Sequence, residues 1–149
     1  MEGTKLKAVD SVALLLEREL GSTIAEWLRR VNLIPDLTKI ALSDADRTGH
    51  LPRLFEDLIA RLRLDRDAEP PFSIAAAAHG KTRFGQGYSI PMLVEESRIF
   101  QVNTFGMLHN HQGKLNQNQV LLDVIIIADE ADRQLTQSVL GFMAVQAAV

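Results

Sequence analysis

Apolar residues recur along this chain at steps of three and four, the period of one helix face, and no segment sustains a two-residue alternation. Val9, Val12, Leu15, Leu16 and Leu20 mark a first helix, which Gly21 ends or kinks. "TIAE" at residues 23–26 has the form of a capping box and predicts a second short helix carrying Ile24, Trp27, Leu28 and Val31. "NLIPDL" is a turn, because Pro35 forces the residue before it into an extended conformation. Ser43 suits an N-cap, with Asp44 and Asp46 in the first turn where the helix dipole favours them. Pro52 fits the first turn of a helix whose stripe is Leu51, Leu54, Phe55, Leu58, Ile59 and Leu62.

The polar segment "DRDAEPP" at residues 65–71 separates these short helices from a half of longer ones. Neither half could bury a sufficient core alone, so residues 1–149 read as one domain. Three helices are predicted beyond the linker, at about 72–84, 89–109 and 116–149, the last two joined by "HNHQGKLNQ". "VIII" at residues 124–127 is β-branched and taken alone would suit a buried strand. Its flanks decide for helix: Leu121, Val124, Ala128, Ala131, Leu135, Ser138, Phe142, Val145 and Val149 alternate steps of three and four over four heptads. Such a stripe predicts a coiled-coil-like seam, most simply against a second copy of the chain. The pattern stops without a glycine or proline cap, which reads as a helix continuing into a longer protein.

Composition narrows the class. With 46% hydrophobic and 23% charged residues the chain is an ordinary globular one, and a net charge of −3 with no basic face argues against nucleic acid. The absence of cysteine removes disulfides, thiolate metal sites and a cysteine nucleophile, and fits the cytoplasm. "VLLDVIIIA" is too short to span a bilayer, and the charged N-terminus lacks the apolar core of a signal peptide.

Candidate chemistry concentrates in "AAAAHGKTRFGQGYSIPMLVEESRIF" at residues 75–100. The four histidines, His50, His79, His109 and His111, show no metal-ligand spacing, so no metal or other cofactor is expected. No nucleophile elbow and no phosphate loop occurs, and adjacent carboxylates such as Glu95-Glu96 and Asp129-Glu130 point about 100° apart on a helix. The stretch reads as a helical hairpin. Gly85 and Gly87 let the chain leave the first helix, Ser89 caps the next, and Arg83 meets Glu95 or Glu96 across the turn. His79, Arg83 and Tyr88 could equally line a pocket for a small ligand. A haem-binding protein or a small helical enzyme built on those three residues is the alternative reading.

"HLPRLFEDLIARL", the alanine-rich helix with His79-Gly80 and Arg83, the glycine turn, and Leu93 with Glu95 or Glu96, followed by the heptad-like helix, resemble the amino-terminal sensory domain of RsbT co-antagonist (RsbR-type) proteins and related bacterial sensor histidine kinases. The resemblance spans roughly residues 10–145. Here Ser97 follows the glutamate pair where the family often has an aromatic residue, so both glutamates stay candidates. The three-four spacing predicts a bundle of six to seven helices with no sheet. The resemblance implies an all-α, cytoplasmic input domain, globin-like without haem. It would dimerise through its long C-terminal signalling helix and pass a signal to a histidine kinase or STAS-type output module. No phosphoacceptor box or ATP-binding glycines are present, so the chain itself should be non-catalytic.

Overall fold

The computed structural model describes residues 10–149; Val9 of the expected first helix lies outside them. Within them the chain is all-helical and carries no strand. The helices are α1 (Val12–Arg18), α2 (Leu20–Val31), the single turn α3 (Pro35–Thr38), α4 (Asp44–Thr48), α5 (Leu51–Arg63), α6 (Ile74–Gly85), α7 (Ile90–Asn110) and the long α8 (Gln117–Ala148), with a 3-10 turn at Gln112–Lys114 before α8. No described helix is long and apolar enough to cross a membrane.

Local chemistry sets most boundaries. Ser11, Ser43 and Ser73 cap α1, α4 and α6 by accepting from Leu14, Asp46 and Ala76 N–H. Pro35, Pro52 and Pro91 sit in the first turns of α3, α5 and α7. The first two helices divide elsewhere than their sequence suggests. The break falls at Glu19, and Gly21 lies inside α2. Thr23 is buried and its hydroxyl donates to the Glu19 carbonyl at 2.6 Å, the back-bonding of a threonine inside a helix rather than a cap. Of the two turn glycines only Gly87 takes positive φ (89°); Gly85 ends α6 in helical conformation.

One apolar core joins these elements. Leu15 and Leu16 of α1, Trp27 and Val31 of α2, Leu51, Phe55 and Leu58 of α5, Leu93, Ile99 and Phe100 of α7 and Ile127 of α8 all belong to it. Buried polar residues of α8 fix its axial position. Gln134 donates to the Leu54 carbonyl, Gln137 accepts from Ser73 N–H, and Ser138 donates to the Ala76 carbonyl.

The expected α6–α7 hairpin takes a different form. α6 lies along α8, not along α7. Small residues allow this: a Cβ on Gly80 would stand 1.8 Å from the Ser138 carbonyl oxygen, and one on Gly141 would stand 2.2 Å from that of Ala77. The pairs Ser73–Gln137, Ala77–Gly141 and Phe84–Phe142 advance together along both helices, so α6 and α8 run the same way.

This packing corrects the reading of the α8 stripe as a seam for a second copy. Ala131, Ser138 and Phe142 are buried within the chain's own bundle, Val124, Ala128, Leu135 and Val145 are partly covered, and Leu121 and the terminal Val149 stand exposed at 68% and 92%. A three-four repeat records that a stripe is covered and does not say by which molecule. The apolar residues left exposed on α8 are others: Leu122, Ile125, Leu140 and Met143, besides Leu121. Phe142 meets Phe84 edge-on, with ring centroids 5.1 Å apart. Phe142→Glu is therefore expected to destabilise the fold, by about 3–5 kcal/mol, through loss of a buried aromatic and burial of a charge. Urea unfolding checks this; an unchanged midpoint would show that the ring is not part of the core.

Candidate functional site

The residues singled out in the 75–100 stretch converge on one buried ion pair. Arg83 on α6 is 1% exposed and grips the Glu96 carboxylate of α7 with two bonds, Nε to Oε1 at 3.0 Å and Nη2 to Oε2 at 3.1 Å. Glu96, not Glu95, is thus the partner: Glu95 faces outward and pairs with Arg98 three residues on. The choice follows from helix geometry, since neighbouring residues point in different directions.

Arg83 has five N–H donors, and the structure supplies five acceptors. Besides the two carboxylate oxygens they are the Gln86 side-chain oxygen and the carbonyls of Asp46 and Arg47. Its guanidinium also lies 4.6 Å from the centre of the Tyr88 ring. The Tyr88 hydroxyl donates to Glu96 Oε2 at 3.0 Å and accepts from Arg47 Nη1 at 2.9 Å. Arg47 is buried in turn and donates to the carbonyls of Leu37 and Ile40 at the end of α3. Trp27 Nε1 reaches the Glu96 carbonyl at 3.4 Å. Five helices, α2, α3, α4, α6 and α7, are tied to a single carboxylate and its neighbours.

Two histidines flank this centre. His79 of α6 has a side chain 8% exposed, with Nε2 3.7 Å from Glu96 Oε1. His50, just before α5, stacks on it with centroids 3.6 Å apart and planes 11° from parallel, and Trp27 meets His50 edge-on. Burial lowers the pKa of both rings, with the charge of Arg83 adding to it, against the opposing pull of Glu96 on His79. His50, His79 and Glu96 present ligating atoms that all lie within 4.8 Å of one another, the three side chains here able to share a metal ion. His109 and His111 are elsewhere, His111 against the Met107 carbonyl.

Beneath the rings is a cavity of about 40 Å³, lined among others by Trp27, His50, His79, Glu96, Gln134 and Ser138. It has room for a molecule of a few atoms and none for a macrocycle. On the outer side the same histidines line a surface groove of about 480 Å³ between α4–α5 and α6.

Tyr88 is the chain's single tyrosine, so its titration can be read directly. Burial, then the Glu96 charge, push its pKa up to about 12. A raised folded-state value means that the stability Tyr88 contributes is whole below pH 10 and is lost as pH rises through 12. Tyrosinate absorbance of the native protein should accordingly rise near pH 12, and near 10 once it is unfolded. A native titration centred near 10 would place the hydroxyl in water.

Arg47, His50 and Trp27 were not legible as site residues. Arg47 sits among acidic residues as an ordinary solvated charge would, and its partners lie up to 41 positions away. No protein-family model, curated protein or solved structure matches the chain.

Proposed function

We propose that this chain is a non-catalytic sensory and dimerisation domain of the RsbR-type kind. It responds to a small ligand at the Arg83–Glu96 centre and passes the response through α8 to a histidine kinase or STAS-type output module in the cytoplasm. The observation that carries this reading is the saturation of the centre. Every donor of Arg83 is bonded, and Glu96 is held by Arg83 and Tyr88 at once. Groups so occupied are poorly placed to attack or deprotonate a substrate. They are well placed to report a perturbation, because displacing one bond at Glu96 changes the bonding of several helices together. The route to α8 is short: the cavity wall includes Glu96, Gln134 and Ser138, and α6 rests on the α8 backbone at Gly80.

Self-association in this reading uses Leu140 and Met143, exposed at 56% and 48% near the end of α8. The test joins α8 in helical register to the dimerisation helix and catalytic core of a histidine kinase and compares autophosphorylation of the wild type with Glu96→Gln. A change of about five-fold or more is expected, the lower end of usual allosteric coupling. Equal rates in every register would remove the reading.

A further inference from the structure

The saturation of the polar centre has one exception. His50 Nδ1 is buried and has no hydrogen-bond partner, an unfavourable state in a protein interior. It belongs to the ring stacked on His79, and both rings line the small cavity as well as the surface groove. One ring nitrogen of His50, one of His79 and a Glu96 carboxylate oxygen, from three different segments, come within 4.8 Å of one another.

We propose that His50, His79 and Glu96 bind a divalent first-row transition metal ion, and that this ion is the ligand the domain senses. Two imidazoles and one carboxylate are a set that zinc and non-haem iron accept, with further positions left for water. The groove gives the ion a path from solvent, and the cavity gives coordinated water a place on the inner side. Glu96 is already oriented by Tyr88 and Arg83 through Oε2, the kind of outer support that metal carboxylates have, while Oε1 accepts from Arg83 Nε and faces His79 Nε2 at 3.7 Å.

Binding carries a structural consequence. Parallel rings direct their nitrogen lone pairs alongside each other, so one ring must turn before both can point at a single ion. Glu96 Oε1 must also share its lone pairs between Arg83 Nε and the metal. The metal-free and metal-bound states therefore differ at the histidine stack and at the Arg83 clamp, and the positive charge of Arg83 makes the two states compete. This inference rests on the sensory reading and names its ligand.

The test uses the full chain, stripped with a chelator and titrated with Co²⁺ as a spectroscopic probe, then with Zn²⁺ in equilibrium dialysis. One equivalent of Co²⁺ should produce visible ligand-field bands that Zn²⁺ abolishes. His50→Ala and His79→Ala should each weaken binding by at least about ten-fold, Tyr88→Phe by about ten-fold through the outer support, and His109→Ala not at all. Since a histidine variant could unfold, the wild type carries a second reading: Co²⁺ should shift the proton resonances of two imidazoles paramagnetically and leave those of the other two in place. A folded protein with no bands at one equivalent overturns the proposal, as do bands that survive in both histidine variants. Failure here is separable from failure of the sensory reading. A protein that binds no Co²⁺ while its kinase fusion still responds to Glu96→Gln has lost only the metal, whereas Co²⁺ bound at this site without effect on the fusion removes the metal as the signal.

Discussion

Gly80→Ala is expected to lower the stability of this protein by at least about 3 kcal/mol, one added methyl group producing the effect of a large core deletion. The new Cβ would lie 1.8 Å from the Ser138 carbonyl oxygen and 2.6 Å from its carbonyl carbon. Both are backbone atoms in the middle of a helix of 32 residues, so no side chain can turn aside. α6 and α8 would have to separate, and Ser138 would lose its bond to the Ala76 carbonyl while Phe142 lost its contact with Phe84. Thermal unfolding should show a drop of about 10 °C. Gly21→Ala is the control, since a Cβ there meets nothing within 4 Å. Ala is a better helix former than Gly, so that variant should be neutral or slightly more stable. Equal effects of the two substitutions would mean that α6 and α8 are not in backbone contact.

Arg83→Ala is the second large effect, expected at about 3–5 kcal/mol, the range for a buried pair broken on one side. The cost arises from what stays behind: Glu96 keeps Tyr88 and loses two bonds, and the carbonyls of Asp46 and Arg47 lose their donor. Arg98→Ala, which breaks the exposed pair with Glu95, should cost less than about 1 kcal/mol. Combining Arg83→Ala with Glu96→Ala should cost well below the sum of the two, because the second change removes the orphaned charge. Chemical denaturation of the wild type and the four variants checks both statements, and an additive double variant would mean that the pair does not interact.

The contrast between these residues shows where sequence was informative. The helices from α5 to α8 could be placed because each carries an apolar stripe bounded by local signals such as Pro52, Ser89 and the 65–71 linker. Arg83 and Glu96 are 13 positions apart across one turn, so helix direction alone brought them together. His50 and Trp27 reach the same centre from 29 or more positions away, and only tertiary packing puts them there. Gly80 and Gly141 look like poor helix residues in sequence; their purpose is visible only once two backbones touch. The α1–α2 break was misplaced because Gly21 was read as a helix end, when a glycine with open space around it is simply tolerated. The stripe of α8 was correctly periodic, yet periodicity does not name the partner.

The central claim is that the polar centre and α8 form one coupled unit. Amide hydrogen exchange along α8 tests it most directly, comparing Glu96→Gln with Leu16→Ala, a core change in α1, which contributes no hydrogen bond to the centre, under denaturant conditions that match their global stabilities. The coupled account predicts that Glu96→Gln selectively loses protection around Ser138 and Phe142, beyond the loss in Leu16→Ala. Identical exchange patterns in the two variants would contradict it.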